Sequence, residues 1–152
     1  MDLDLIRHAA IFADLTDEEA EAVAEICTEQ KIPRNQFIFR EGEPGNRLYI
    51  VAEGEVRISR DVPGSGEEAL AILKKGACFG EMSVFDRSER STDAIANTTC
   101  ILLTAARSDF EMLLDFNRDL AYKVLWSVVR LLSGRLRVTN DNLRSFLAMS
   151  MF

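Results

Sequence analysis

The side chains with the clearest chemical potential are concentrated in residues 79–94. This stretch places Glu81 directly after Gly80, and it ends with Arg90 and Ser91 close to the next predicted strand. Backbone amides at the start of a helical turn favour an anion, and an arginine brings a planar fork of donors to phosphate oxygens. A serine hydroxyl adds a donor, and a carboxylate accepts a hydrogen bond from a sugar hydroxyl. The combination predicts a pocket for a compact phosphorylated sugar rather than a groove for a polymer.

Catalytic and metal chemistry have little support in this sequence. Histidine occurs once, as His8, and the three cysteines are scattered along the chain. This pattern argues against histidine-based catalysis, a metal site and a disulfide framework. The serine hydroxyls of residues 79–94 have no histidine or lysine base at a recognisable spacing, which disfavours a hydrolase. We therefore expect a binding protein that is not an enzyme and that holds neither a metal nor a cofactor.

Length and composition favour one globular domain in a reducing compartment. The chain has 152 residues, of which 47% are hydrophobic and 28% are charged, as in ordinary soluble domains. We expect a cytoplasmic protein, because the sequence has no apolar run long enough to cross a membrane and no basic, apolar leader. The net charge of −7 is concentrated in residues 1–30, which hold nine acids and one base. No basic patch suits a phosphate backbone, so direct nucleic-acid binding is not expected.

Changes in hydrophobic period divide the predicted single domain, residues 1–152, into three parts. Residues 1–36 form a helical lead-in, with Thr16 as an N-cap and Glu19 as its capping-box partner. Residues 37–104 change to short runs with a period of two, separated by turns that contain glycine. These runs predict a small antiparallel barrel or sandwich. The fold class is therefore mainly β with flanking helices.

Residues 105–152 return to helical spacing, and we expect two helices there. Ser108 is the predicted N-cap of the first helix, and Asn117 separates it from a long helix over residues 118–148. Apolar residues recur along the long helix at alternating intervals of three and four, the pattern of a helix that pairs with another helix. The positions of this seam are Val129, Leu132, Leu136, Thr139, Leu143 and Phe146. The seam predicts a homodimer through this helix.

Residues 80–91 resemble the phosphate-binding cassette of cyclic nucleotide-binding domains. The cassette consists of Gly80-Glu81-Met82-Ser83, a short spacer and Arg90-Ser91. Residues 41–56 resemble the family's preceding hairpin, with Gly42 and Gly54 at its tight corners. Residues 11–15 resemble the lead-in helix, and residues 135–140 resemble the long helix of catabolite-activator-type members. The resemblance covers nearly the whole chain and implies a double-stranded β-helix, or jelly roll, as the fold.

The resemblance implies a role for each matching residue. Glu81 would accept a hydrogen bond from the ribose 2′-hydroxyl, and Arg90 would pair with the exocyclic oxygens of the cyclic phosphate. Ser91 would complete the phosphate site together with the backbone of Gly80 and its neighbours Met82 and Ser83. The resemblance further implies that Thr139 and Asn140, on the long helix, contact the base, one of them across the dimer.

The function implied is a sensor that binds a cyclic mononucleotide, cAMP rather than cGMP, and signals to a protein partner through the C-terminal helix. Two features depart from the family pattern. The spacer has no glycine before Arg90, and Asp86 and Glu89 add negative charge beside the anion site. The chain also ends where transcription factors of this type begin their helix-turn-helix.

Other interpretations of the same residues stay open at the level of sequence. The fold could have lost its ligand and could serve only as a dimerisation or interaction module, and a small enzyme acting on a phosphorylated sugar is a third possibility. Arg90 could pair with Glu89 or Asp93 at the surface, and Glu81 could be a solvated turn residue. Thr139 could be a neutral polar position in the helix seam.

Overall fold

The computed structural model describes residues 2–151, and two four-stranded antiparallel sheets form its centre. The strands are β1 (Thr28–Ile32), β2 (Phe37–Phe39), β3 (Arg47–Glu53), β4 (Val56–Val62), β5 (Gly66–Leu73), β6 (Cys78–Phe79), β7 (Asp93–Ala96) and β8 (Cys100–Ala106). The first sheet has the order β1-β8-β3-β6, and the second has the order β2-β7-β4-β5. The predicted mainly β fold is confirmed, although the two sheets are not closed into one continuous barrel.

Helices flank the sheets at both ends of the chain. They are α1 (Leu3–His8), a 3-10 turn (Ala10–Phe12), α2 (Asp17–Ile26), α3 (Glu81–Asp86), α4 (Arg107–Phe116) and α5 (Arg118–Ser150). The short α3 connects β6 of the first sheet to β7 of the second. The cassette therefore crosses from one sheet to the other.

Glu19 joins the N-terminal helices to the C-terminal ones. Its backbone amide donates to the Thr16 hydroxyl at 3.2 Å, and its carboxylate accepts from the Thr16 amide at 2.9 Å, which confirms the predicted capping box. The same carboxylate accepts from Lys123 Nζ, on α5, at 2.6 Å. Burial raises the pKa of the Glu19 carboxyl, but the hydrogen bonds from Lys123 and Thr16 outweigh burial, so that pKa lies below its ordinary value.

The prediction that residues 1–36 are helical is wrong for the five residues that form β1. Thr28–Ile32 pairs with β8 in an unbroken antiparallel register. β1 is an edge strand in which only Ile32 is buried, so its sequence lacks the alternation that identifies a half-buried strand. At the other boundary, β8 continues to Ala106, beyond the limit predicted at residue 104.

The predicted N-cap at Ser108 is also wrong. α4 begins at Arg107, directly after β8, and Ala106 occupies the cap position without a side-chain hydrogen bond. Because the strand runs straight into the helix, Ser108 lies inside the first helical turn. Glu111, three residues after Ser108, pairs with Arg87 at 3.1 Å.

The long helix α5 packs against the domain only along its first part. Leu120, Val124 and Val128 are buried, whereas every described residue from 132 onward is exposed. The Asn117 side chain accepts from the Leu120 amide at 3.1 Å and begins the helix where the sequence predicts it. At 1.5 Å per residue, its 33 residues span about 50 Å. Within residues 2–151, no helix is both long enough and apolar enough to cross a membrane.

We expect Glu19→Gln to lower the free energy of unfolding by about 1–2 kcal/mol at neutral pH, because it removes the charge from a buried cap and ion pair. The depressed pKa of this carboxyl makes its contribution present above the unfolded-state pKa. The contribution is lost as the pH falls through the folded-state pKa.

Urea unfolding at neutral pH and in acid measures this effect. The exposed Glu18 lies beside Glu19 on the same helix, and Glu18→Gln is the matched control for loss of charge. Equal destabilisation by the two substitutions, or a difference that persists in strong acid, would contradict the assignment.

Candidate functional site

A cavity of about 220 Å³ lies between the sheets, α3 and α5, and we call it the Arg90 cavity. Its lining residues are Phe39, Ile58, Leu73, Cys78, Phe79, Gly80, Glu81, Met82, Ser83, Arg90, Ser91, Thr92 and Arg135. Six of the eight residues predicted to contact a ligand are among them. The other two, Thr139 and Asn140, are not.

A larger groove of about 810 Å³ between α2 and the start of α5 has the wrong charge for a phosphate. Its lining includes the carboxylates of Glu18, Glu19, Glu21, Glu25 and Asp119. Among the described lining residues the cation is Lys123, which is already bound to Glu19. Repulsion between like charges therefore disfavours an anion there.

Gly80 allows the chain to turn into α3 beside the arginine. Its φ of 77° lies in the left-handed region, which glycine adopts without steric cost. A Cβ at this position would lie 2.7 Å from Arg90 Nη1 and 3.1 Å from the Arg47 carbonyl oxygen. The glycine therefore serves both the turn and the close approach of the backbone to the guanidinium.

Arg90 is a buried cation without an acidic partner. Its side chain has 5% of its surface exposed, and it donates from Nη1 to the Gly80 carbonyl at 2.8 Å and from Nη2 to the Arg47 carbonyl at 2.6 Å. Its Nε is buried without a hydrogen-bond partner. Within residues 2–151, no carboxylate oxygen lies within 4.0 Å of the guanidinium nitrogens. A guanidinium carries five N–H donors, so the protein leaves part of its capacity unused.

Aromatic rings lie against the Arg90 guanidinium. The guanidinium carbon is 4.1 Å from the centroid of Phe39 and 5.9 Å from that of Tyr49, within the range of cation–π attraction. Tyr49 in turn stacks on Phe79 at 5.1 Å, so the rings form a shared apolar floor. Burial lowers the pKa of Arg90 from its ordinary value, but an arginine stays protonated in proteins. The cavity therefore has a desolvated positive charge in its wall.

The backbone of Arg90 is held by the loop between β2 and β3. The Gly42 amide donates to the Arg90 carbonyl at 2.9 Å, and the Arg90 amide donates to the Glu43 carbonyl at 2.8 Å. The burial of the Arg90 side chain and its bonds to the Gly80 and Arg47 carbonyls, rather than these backbone bonds, contradict the surface pairing that the sequence left open. Asp93 accepts instead from the Glu41 amide at 2.8 Å.

Glu81 is buried and contacts α5 through Arg135. It has 3% of its surface exposed, which contradicts the solvated-turn interpretation. Its Oε1 lies 3.4 Å from Nη2 of Arg135, a half-exposed residue that the sequence analysis did not single out as a site residue. Helical spacing offered one signal, because Arg135 lies one turn before Thr139 on the same face. The contact links the cassette directly to the long helix.

The remaining cassette residues occupy different environments within the cavity wall. Ser83 is buried, and Gly45 packs so closely on it that an added Cβ would lie 2.0 Å from the Ser83 Cβ. Met82 is half-buried. Ser91 is exposed, and its carbonyl accepts from Arg60 at 3.1 Å. The Ser91 hydroxyl is therefore accessible from solvent.

Thr139 and Asn140 are exposed on α5, outside the Arg90 cavity. They lie in the part of the helix that has no buried residue. Their predicted contact with a base stays a prediction.

The spacer lacks the family's glycine, and Arg87 adopts the left-handed backbone conformation in its place. This residue ends α3 with a φ of 58°, the conformation that a glycine would adopt without strain. Asp86 accepts from the Ser88 hydroxyl at 2.5 Å and from the Ser88 amide at 2.9 Å, and these bonds lower the pKa of its carboxyl. Neither Asp86 nor Glu89 lines the Arg90 cavity. Their charge therefore lies outside the Arg90 cavity.

Comparisons with known proteins agree with this geometry. The family model of the cyclic nucleotide-binding domain matches residues 29–117, and the chain belongs to this family. A CRP-like cAMP-activated global transcriptional regulator of Mycobacterium tuberculosis is 34% identical over 140 residues, which are 92% of this chain and 61% of the relative. A cyclic AMP receptor protein of Thermus thermophilus is 36% identical over 105 residues, which are 69% of this chain and 49% of the relative. The chain thus spans about half to three-fifths of the length of these relatives.

A solved structure shares most of the fold. The N-terminal domain of a transcriptional regulator from Streptomyces coelicolor superposes with a TM-score of 0.81 at 34% identity. The match covers 92% of this chain and 95% of that one. The predicted resemblance to cyclic nucleotide-binding domains is therefore confirmed, and α5 lies beyond the residues matched by the family model.

We expect Gly80→Ala to destabilise the domain more than Gly64→Ala. Both glycines have positive φ, so both substitutions incur a backbone cost of about 1–2 kcal/mol. Only at position 80 would the new methyl group strike Arg90, whereas nothing lies within 4 Å of a Cβ at position 64. Overpacking adds about 1–3 kcal/mol at the first site. Denaturant unfolding of the two variants measures the difference, and equal losses would refute the close packing of Gly80 on Arg90.

Proposed function

We propose that this domain is a non-enzymatic regulatory module that binds cAMP in the Arg90 cavity and signals through α5. The observation that carries the proposal is the state of Arg90. A buried guanidinium without an acidic partner and with unused donors is unfavourable until an anion accepts from it. A cyclic phosphate supplies that charge in a compact form.

The ligand's phosphate and sugar have separate partners in this proposal. Arg90 pairs with the exocyclic phosphate oxygens, and the Ser91 hydroxyl and the backbone after Gly80 complete the phosphate site. Glu81 accepts from the ribose 2′-hydroxyl through Oε2, for which the described residues supply no hydrogen-bond partner, while Oε1 keeps its contact with Arg135. Hydrogen bonds to charged groups in a desolvated site are the strong ones. This division assigns a role to Glu81 and to Arg90.

The choice of cAMP rests on the two curated relatives described above, whose names specify cAMP. The base would lie beneath α5, where Thr139 and Asn140 are the polar side chains proposed to contact it. Because both are exposed and outside the cavity, this contact requires movement of α5 or a residue from a second chain. Leaving polar edges of a base desolvated and unpaired is unfavourable, so ligand binding favours the helix position that pairs them.

Signalling to α5 would pass through Glu81 and Arg135. A ligand that engages Glu81 changes the environment of Arg135, and Arg135 belongs to the helix that extends furthest from the domain. The ligand can shift the helix only by the difference in its affinity for the two helix positions. A downstream protein that contacts α5 would receive this shift.

Dimerisation through α5 is the second part of the proposal. The seam positions Val129, Leu132, Leu136 and Leu143 are 54%, 37%, 61% and 55% exposed, and Phe146 is 66% exposed. An apolar stripe of this length that the chain leaves uncovered is typical of an interface. A second copy supplies the same stripe in a symmetric arrangement.

A ligand-free interaction module is the alternative function. It would retain the seam and the fold, but Arg90 would be a structural residue held by two carbonyl groups. Titration with cAMP and cGMP separates the two functions, because the alternative predicts no binding of either nucleotide by a folded dimer. The predicted cytoplasmic location agrees with three free cysteines in the described chain.

Arg90→Ala should weaken cAMP binding at least tenfold, because a charge-assisted hydrogen bond to the phosphate contributes roughly 1.5–3 kcal/mol. Isothermal titration calorimetry measures the affinity, and circular dichroism checks the fold. Arg90→Lys keeps the charge but loses the planar fork, so it tests the site even if the alanine variant does not fold.

The matched control for this prediction is Arg60→Ala. Arg60 donates to the Ser91 carbonyl but does not line the Arg90 cavity. We expect its loss to change the affinity less than threefold. Wild-type affinity in a folded Arg90 variant would remove the basis of the site assignment.

Sedimentation should give twice the chain mass of 17.1 kDa at tens of micromolar. Leu136→Glu should produce a monomer, because it places a charge in the centre of the seam. Val138→Glu is the control, since Val138 is 59% exposed on the same helix but lies off the seam. A monomeric wild type, or equal effects of the two substitutions, would contradict the proposed dimer.

A further inference from the structure

A second cavity of about 380 Å³ lies on the other side of Arg135, between the N-terminal segment, the β5–β6 connection and α5. We call it the Lys74 cavity. Its lining residues are His8, Ala10, Ile11, Lys74, Lys75, Gly76, Ala77, Cys78, Glu81, Leu131 and Arg135. It shares Cys78, Glu81 and Arg135 with the Arg90 cavity, so the ion pair of Glu81 and Arg135 lies between the two spaces.

The Lys74 cavity is lined mainly by positive side chains, whereas the chain as a whole is negatively charged. The net charge of the protein is −7, yet Lys74, Lys75 and Arg135 line this cavity together with His8. Glu81 is the acid among the described lining residues, and Arg135 already contacts it. Neither lysine forms an ion pair with a described residue. A concave surface with two unpaired lysines beside a partly paired arginine attracts anions.

The acids nearest to this cavity are occupied elsewhere. Asp2 and Asp4 line a neighbouring space of about 250 Å³ together with His8 and Lys75. The Asp2 carboxylate accepts from the Asp4 amide at 2.9 Å and caps α1, and Asp4 pairs with Arg7 at 3.1 Å. Arg7, which Asp4 shares with Asp17, offsets part of this negative charge, so the two acids neutralise the lysines only in part.

The backbone that carries the two lysines is fixed. The Gly76 amide donates to the Val51 carbonyl at 2.8 Å, the Val51 amide donates to the Ala77 carbonyl at 3.0 Å, and the Ala77 amide donates to the Lys74 carbonyl at 3.0 Å. Gly76 has a φ of 91°, and an added Cβ there would lie 2.1 Å from the His8 ring. The connection is therefore tied to β3 and packed on α1. A fixed scaffold reduces the entropy lost when its side chains bind a ligand.

We propose that the Lys74 cavity is a second anion-binding site, for a small phosphorylated compound. Lys74, Lys75 and Arg135 would contact the phosphate, and His8 would add a hydrogen bond. Ala10, Ile11 and Leu131 form an apolar wall for the carbon part of the ligand. The site rests on its own lining residues and does not depend on nucleotide binding in the Arg90 cavity.

Calorimetric titration with inorganic pyrophosphate tests this site. With saturating cAMP present to fill the Arg90 cavity, we expect one pyrophosphate to bind per chain, and we expect the double substitution Lys74→Gln, Lys75→Gln to weaken this binding at least tenfold. Lys31→Gln, Arg34→Gln is the matched control, because it removes the same charge from exposed residues that do not line the cavity. Absence of binding to the wild type, or equal weakening by the two double substitutions, would overturn the proposal.

Two further titrations distinguish the Lys74 cavity from the Arg90 cavity. Pyrophosphate should bind Arg90→Lys as it binds the wild type, and one pyrophosphate should still bind in the presence of saturating cAMP. Loss of binding in Arg90→Lys, or displacement by cAMP, would place the anion in the Arg90 cavity and refute the proposal. Pyrophosphate binding in a protein that fails to bind cAMP would support this site while refuting the proposed function.

Discussion

The arrangement of this domain depends on keeping one positive charge out of water. Arg90 has 5% of its surface exposed, and two backbone carbonyls and two aromatic rings take the place of a carboxylate partner. Burial of a charge without a counter-ion is costly unless the surroundings compensate. The carbonyls of Gly80 and Arg47 and the aromatic rings provide this compensation, while the loop at Gly42 and Glu43 holds the Arg90 backbone in place. The result is a cavity with a buried positive charge in its wall, and that charge still has hydrogen-bond donors without an acceptor.

The Arg90 cavity is also in contact with α5, most of which does not pack on the rest of the domain. Arg135 reaches Glu81 from α5, and beyond this region α5 has no buried residue. The ion pair of Glu81 and Arg135 also lies between the two cavities, so a ligand on either side would lie beside the same guanidinium.

Local sequence patterns predicted six of the residues that line the Arg90 cavity, whereas Arg135 reaches it through a contact over a long sequence distance. The cassette lies within a dozen residues, so its glycine, acid, arginine and serine could be recognised from their types, their spacing and the resemblance to the family. Arg135 is 54 positions from Glu81, and its contact depends on how α5 packs on the sheets, which no local pattern specifies. β1 was missed because an exposed edge strand has no apolar alternation. Arg87 could not be predicted either. It adopts a positive φ where a glycine is expected, and an arginine in the sequence gives no sign of that conformation.

The most direct test of the central claim is a calorimetric titration of the wild-type chain with cAMP and with 2′-deoxy-cAMP. The account predicts one cAMP bound per chain through Arg90, and at least tenfold weaker binding of the deoxy compound, because Glu81 loses a charge-assisted hydrogen bond of roughly 1.5–3 kcal/mol. No binding of cAMP by the folded protein would contradict the assignment of the Arg90 cavity as a nucleotide site. Binding of both compounds within twofold would contradict the role of Glu81.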